Sequence, residues 1–202
     1  MVHIDFFTEE ESARVALYSL LPRMLPESAV FDIFAFQGKG DLLKKLPKRL
    51  RAYRHAPLNT HKVIVLIDRD TRDCQSLKQE LELIARQAGI VSKTENPNDF
   101  QVVTRIVIEE LEAWYFGDVT ALHEAFSCVS KTICQRRGFE DPDEVAKPSK
   151  RLLKLLQSEY PGASRLPKIE VAERVSAYMN PKMNMSRSFQ VFYEGVKACC
   201  DT

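Results

Sequence analysis

The sequence predicts an α/β fold: a four-stranded, mainly parallel sheet flanked by helices, with a helical C-terminal extension. Three observations predict it. Short β-rich segments alternate with segments of helical periodicity as far as about residue 126. His61–Asp68 contains the unbroken run Val-Ile-Val-Leu-Ile, the pattern of a strand buried on both faces of a parallel sheet. After residue 127 the strand signal stops and only helical patterns return. The expected division is an α/β core over 1–126 and a helical region over 127–202, either a cover on the same sheet or a small subdomain.

The elements follow in order. Val2–Thr8 alternates and is β-rich, so it reads as the first strand. Glu10–Met24 carries apolar residues at helical spacing. Val30–Gln37 is the second strand and Gly38–Asp41 a turn. Asp41 is placed to cap a helix through about Arg54, which Pro47 should kink or divide. The third strand, His61–Asp68, leads into a helix over roughly Asp73–Gln87, with Asp73 as cap and Gly89 as stop. Val102–Ile108 is the fourth strand. Helices are expected at Glu109–Phe116 and Val119–Phe126, then at Ser149–Glu159, Lys168–Met179 and Ser188–Cys200, with a polar loop over Ser127–Pro148. Trp114 and Tyr115 are expected in the core.

Bulk composition narrows the function classes. The chain has 202 residues, 45% hydrophobic and 28% charged, which suits one sizeable core and excludes disorder. A net charge of +1 gives no global attraction to nucleic acid or anionic membrane, so such binding requires a local patch. Five cysteines without C-x-x-C spacing read as reduced thiols, and the four histidines, far apart in sequence, form no ligand spacing. The start of the chain is strand-like rather than a leader, and no apolar run reaches membrane-spanning length. The expected location is cytoplasmic, with no membrane partner.

Chemistry collects at the strand ends. The first strand runs into Glu9-Glu10-Glu11, the third into Asp68-Arg69-Asp70, and the fourth into Glu109-Glu110-Leu111-Glu112. In a parallel sheet all strand C-termini lie on one edge, where open α/β sheets bind ligands. Converging carboxylates repel one another unless they are protonated or share a cation. A hard ion such as Mg²⁺ takes a few carboxylates and leaves its other positions to water and phosphate. Two of the clusters also have a structural role open to them, a helix first turn for the three glutamates and a solvated helix start for Glu109–Glu112, whereas capping does not need the Asp68–Asp70 pair.

With these residues in view, the chain resembles a known family. A strand ending in Glu followed by one ending in Asp-x-Asp is similar to the Toprim domains of topoisomerases, primases and overcoming-lysogenisation-defect nucleases. More closely, the whole chain resembles the bacterial, Toprim-like domain-of-unknown-function family 4276. The residues that carry this are HIDFFTEEESARVAL (3–17), FQGKGDLLKKLPKRLR (36–51), VIVLIDRDTRDC (63–74), RIVIEELEAWYFGD (105–118) and SRSFQVF (186–192). The resemblance implies a Toprim-like Rossmannoid sheet, Mg²⁺ (or Mn²⁺), and nuclease chemistry with Glu9, Asp68 and Asp70 as metal-binding acids. Glu109 or Glu112 is then the third acid, with Glu110 as an alternative. It also implies a role in phage defence beside an AAA/ABC-type ATPase. Glu10 stands where most Toprim domains have glycine, which leaves open which of Glu9, Glu10 and Glu11 faces the site.

On the substrate side, Lys39 lies in the glycine turn at the same edge, and Arg69 and Arg72 flank the acids. Arg69 is expected to pair with a local carboxylate. Lys39–His55 carries seven cations against Asp41, and Lys147, Lys150, Arg151 and Lys154 form a second basic stretch; either could track phosphates. Ser186, Arg187 and Ser188 are candidates for substrate contact, with Ser188 also the expected cap of the last helix. The leading expectation is a Mg²⁺-dependent nuclease acting on DNA or RNA. The others are a catalytically silent interaction module and a small-phosphoester enzyme using the same site.

Overall fold

The computed structural model describes residues 1–58 and 60–201. Strands β1 (Val2–Thr8), β2 (Ala29–Ala35), β3 (His61–Asp68) and β4 (Val102–Val107) form one sheet in the order β2-β1-β3-β4. All three pairings are parallel. Thr8 lies opposite Leu66, and Asp68 opposite Val107. The residues that leave β1, β3 and β4 therefore emerge together at one edge.

Both faces of the sheet are covered, which is why β3 is continuously apolar. On one face Phe7, Val63, Val65 and Ile67 pack with Leu42, Leu46 and Leu50 of α2 (Lys39–Arg51) and with Leu77, Leu81 and Ala85 of α3 (Cys74–Ala88). On the other, Ile4, Phe6, Ile64 and Leu66 pack with Ala16, Leu17 and Leu20 of α1 (Glu11–Leu20). The same apolar cluster continues into α7 (Lys168–Tyr178) and α8 (Arg187–Cys200) through Val171, Val175, Phe189, Phe192 and Val196. It also takes in Trp114 and Tyr115 of α4 (Ala113–Phe116) and Leu122 of α5 (Val119–Ala125). Trp114 and Tyr115 are thus core residues, as expected.

Several boundaries differ from the sequence expectation for local reasons. α1 stops at Leu20, and Pro22 lies in a 3-10 turn, Leu21–Arg23, because a proline ring cannot continue the α-helix. α2 begins earlier than expected, after Gly38 at φ 87°; Asp41 lies in its first turn, accepts from the Gln37 amide (3.2 Å) and pairs with Lys45 (2.7 Å). Pro47 does not divide that helix, whose leucine stripe is buried on both sides of it. After β4 no helix starts at Glu109, because that residue is left-handed at φ 59°; α4 begins at Ala113. Asp73 does cap α3, accepting from the Ser76 amide at 2.8 Å, and Gly89 closes it at φ 75°. The other helical segments among the described residues are α6 (Pro148–Leu155) and two short 3-10 turns, Ile133–Gln135 and Pro142–Glu144. The five cysteines form no disulfide, and among the described residues no helix is long and apolar enough to cross a membrane.

A set of buried bonds ties the C-terminal helices to α4. The Trp114 indole donates to Ser188 Oγ (2.9 Å), and the Asn184 amide donates to the Trp114 carbonyl (2.8 Å). The Met185 amide donates to the Gly117 carbonyl (2.7 Å). A Cβ on Gly117 would lie 2.1 Å from Asn184 Oδ1 and 2.8 Å from the Ser186 nitrogen. Gly117→Ala should therefore destabilise the protein by about 1–3 kcal/mol, the usual range for overpacking. A denaturation midpoint equal to that of the wild type would contradict this close fit.

Candidate functional site

Three acids from three strand ends meet at the C-terminal edge of the sheet. Glu9 follows β1, is 8% exposed, and its Oε2 accepts from the Asp68 amide at 3.2 Å. Asp68 ends β3, and its Oδ2 accepts from the Leu111 amide at 3.4 Å. Glu112 precedes α4 and is 1% exposed. Its Oε2 is buried and has no partner, and the same holds for the Tyr115 hydroxyl three residues later.

Burial and crowding raise the proton affinity of all three acids. Asp68 is held well above the usual carboxylate range, first by desolvation and then by the charges of Glu112 and Glu9. Glu112 is pushed up to about 7, chiefly by desolvation, with Lys168 acting against the shift. Glu9 is raised by burial, despite Lys39 and the Asp68 amide. The Tyr115 phenol is raised by burial and by the charges of Glu112 and Asp68.

Two lysines offset part of this charge. Lys168, the first residue of α7, lies 3.4 Å from Glu10 Oε2 and 3.8 Å from Glu112 Oε1. Desolvation opposes its charge, but Glu112, Glu10 and Asp68 outweigh that and raise its proton affinity. Lys39, the first residue of α2, pairs with Asp70 Oδ2 at 2.6 Å and donates to the Arg69 carbonyl at 3.3 Å.

The remaining candidates take other positions. Asp70 stands at the rim, half exposed and left-handed at φ 51°, with its amide bonded to the Glu109 carbonyl (2.8 Å). Glu109 pairs with Arg69, which does take a local carboxylate. Glu110 accepts from the Ser149 amide of α6 at 2.9 Å. Of the three third-acid alternatives, Glu112 is the one beside Asp68. Of the three adjacent glutamates Glu9 faces the site, while Glu10 meets Lys168 and Glu11 pairs with Arg14. Arg72 pairs with Glu80 of α3 at 2.6 Å.

Ser186, Arg187 and Ser188 have no bond to the acids. Ser186, not Ser188, caps α8: its Oγ accepts from the Phe189 amide (3.1 Å) and donates to Asp143 (2.7 Å). The helix starts one residue earlier than expected, so Ser188 lies inside it and receives the Trp114 indole instead. Arg187 is exposed, 3.9 Å from Glu194.

The edge acids have an oxygen-only donor set with one buried, unpartnered oxygen, which suits a hard divalent cation. Their ligand atoms are not drawn into a tight trio. Among the described residues, a group with ligand atoms within 4.8 Å of one another is His3, Asp5 and Asp32, and the edge acids do not form one. His3 Nε2 lies 3.1 Å from Asp5 and 3.0 Å from Asp32, the Tyr53 hydroxyl donates to Asp5, and the His61 ring stacks on His3 at 5.5 Å. Sequence spacing missed this group, because strand register pairs His3 with His61 and Asp5 with Asp32. The one local signal was the His-x-Asp alternation, which puts both side chains on one face of β1.

The family model described as Domain of unknown function (DUF4276) matches residues 8–197. Comparison with the curated proteins and with the solved structures gave no match.

The raised Glu112 gives a pH prediction. A carboxyl that titrates at about 7 in the fold and at an ordinary 4.5 when unfolded binds more protons folded, so stability falls as pH rises between those values. In EDTA the wild type should lose at most about 3 kcal/mol from this group between pH 5 and 8. Glu112→Gln should flatten the slope in urea denaturation. Identical slopes for the two proteins would contradict the buried, crowded carboxyl.

Proposed function

This chain belongs to the DUF4276 family, and we propose that it is a Mg²⁺-dependent (or Mn²⁺-dependent) nuclease that hydrolyses phosphodiester bonds of DNA or RNA. The observation that carries this reading is the crowding of half-buried Asp68 against fully buried Glu112, with one Glu112 oxygen left unpartnered. A fold keeps such a pair only if it is protonated or shares a cation. The resemblance to Toprim domains supports the same assignment, since Glu9, Asp68 and Asp70 fall on that pattern.

Glu9, Asp68 and Glu112 would hold the ion, with Asp70 at the rim. The bound ion would make a water nucleophilic near neutral pH and offset charge on the leaving oxygen. The proton of that water would pass to whichever of Glu9 and Glu112 is not engaged on the ion. Lys168 lies beside the acids with its ammonium kept protonated, placed to meet a phosphate oxygen. Lys39 plays the same part at the Asp70 rim. A partner ATPase and a role in phage defence fit this reading through the resemblance of the Glu and Asp-x-Asp pattern to that of overcoming-lysogenisation-defect nucleases.

One observation favours the alternative of a silent binding module. Lys168 and Lys39 already pair with Glu112, Glu10 and Asp70, so the lysines themselves offset part of the charge. Cleavage of plasmid and single strands in Mg²⁺ or Mn²⁺, with and without a neighbouring ATPase, separates the two. The nuclease reading expects Asp68→Asn and Glu112→Gln to lose more than about 100-fold in rate, beyond the loss of an outer-shell partner. Equal cleavage by wild type and variants, or none in any condition, would sink it.

A further inference from the structure

We propose that the groove between α6 and the start of α7 docks the sugar–phosphate backbone of a nucleic-acid strand and leads it to the edge acids. The proposal rests on the nuclease reading for where the strand is delivered, but the binding it asserts is measurable without cleavage. The groove has a volume of about 350 Å³, and its lining includes Lys150, Leu153, Arg165 and Lys168. Lys168 is the shared wall. It also lines the neighbouring cleft with Glu10, Glu11, Glu170 and Glu173, which marks the acidic end of the track, and lies within 4 Å of Glu112. The Glu110–Ser149 bond ties α6 to the segment that carries Glu112, which fixes groove and acids relative to each other.

The charges are what a phosphate track requires. Lys150 and Lys154 are exposed and lie four residues apart on one face of α6, and Lys147, which precedes the helix at φ 52°, is exposed as well. Arg165 lines the groove together with Lys150 and is exposed as well. Among the described residues none of these four side chains has a hydrogen-bond or ion-pair partner. Other cations are committed: Lys45 to Asp41, Lys78 to Glu82, Lys131 to Glu124, Arg72 to Glu80. In a chain of net charge +1 such an uncompensated row is a local feature. The four residues of helix between Lys150 and Lys154 rise about 6 Å, roughly two phosphates along one strand. No aromatic side chain lines the groove, so the contact should read backbone charge and tolerate any sequence.

The exposed row on α2 (Lys44, Lys48, Arg51) also makes no side-chain hydrogen bond or ion pair among the described residues, but the cleft next to that helix opens along the exposed edge of β2 and is lined by neither Lys168 nor any of Glu9, Asp68 and Glu112. That row is therefore the internal control. Binding of fluorescein-labelled single-stranded DNA, single-stranded RNA and duplex is measured by anisotropy on the full chain in EDTA, over a range of salt. Lys150→Glu with Arg165→Glu should weaken binding at least tenfold and reduce the log–log salt slope by about 2. Lys44→Glu with Lys48→Glu should change it less than twofold. Unchanged binding in the first variant, the loss appearing in the second instead, or no binding by the wild type at low salt would each overturn the groove assignment. Displacement by polyglutamate as readily as by unlabelled strand would assign the groove to an acidic protein and overturn it too. Binding that behaves as expected without any cleavage would leave the groove standing and remove the nuclease reading.

Discussion

The Asp68 amide donates to Glu9 Oε2 across 3.2 Å, and through that bond two strand ends deliver carboxylates to the same buried edge. Parallel pairing of β1 with β3 makes this unavoidable, because both strands must end on the same side of the sheet. Glu112 then arrives from β4 and closes the group. Three carboxylates at least partly removed from water cannot all stay ionised without compensation. The arrangement around them follows from that constraint: raised proton affinities for Glu9, Asp68 and Glu112, one unpartnered oxygen, and a lysine brought in by α7.

The C-terminal helices therefore do more than cover apolar surface. Phe189, Phe192 and Val196 seal one face of the sheet together with Trp114. Asn184, Met185 and Ser188 bond to Trp114 and Gly117, just beyond Glu112. That lock holds α4 in place, and α4 keeps Glu112 pointed into the site. α7 supplies Lys168, and α6 is anchored to Glu110. Stability and site electrostatics thus rest on the same contacts, so a change in the lock should be felt at the acids.

Much of this was legible in the sequence, for identifiable reasons. The strands could be read because a doubly covered parallel sheet demands runs such as Val63–Ile67, and Asp73 and Gly89 announce both ends of α3. Parallel strands sharing one C-terminal edge made the meeting of the Glu9–Glu11 run with Asp68 an expectation. The third acid stayed open, because nothing local shows that Glu109 adopts φ 59° and turns to Arg69 while Glu112 turns inward. Lys168 was invisible as a site residue, since it is 56 positions from Glu112 and reaches it only through the packing of α7. The cap of α8 moved from Ser188 to Ser186 because Asp143, in the 3-10 turn Pro142–Glu144 far away in sequence, binds both serines. The His3–Asp5–Asp32 group depended on register between strands, which spacing along the chain does not encode.

The edge acids and the His3 group differ in donor chemistry: all oxygen in the first, imidazole bridging two carboxylates in the second. A crystal grown with Mn²⁺ and measured at a wavelength where manganese scatters anomalously would locate the ion directly. An anomalous peak bounded by Glu9, Asp68 and Glu112 is the result expected of a hard-cation site at the sheet edge. No peak there at saturating Mn²⁺, or a peak at His3, Asp5 and Asp32 alone, would contradict it.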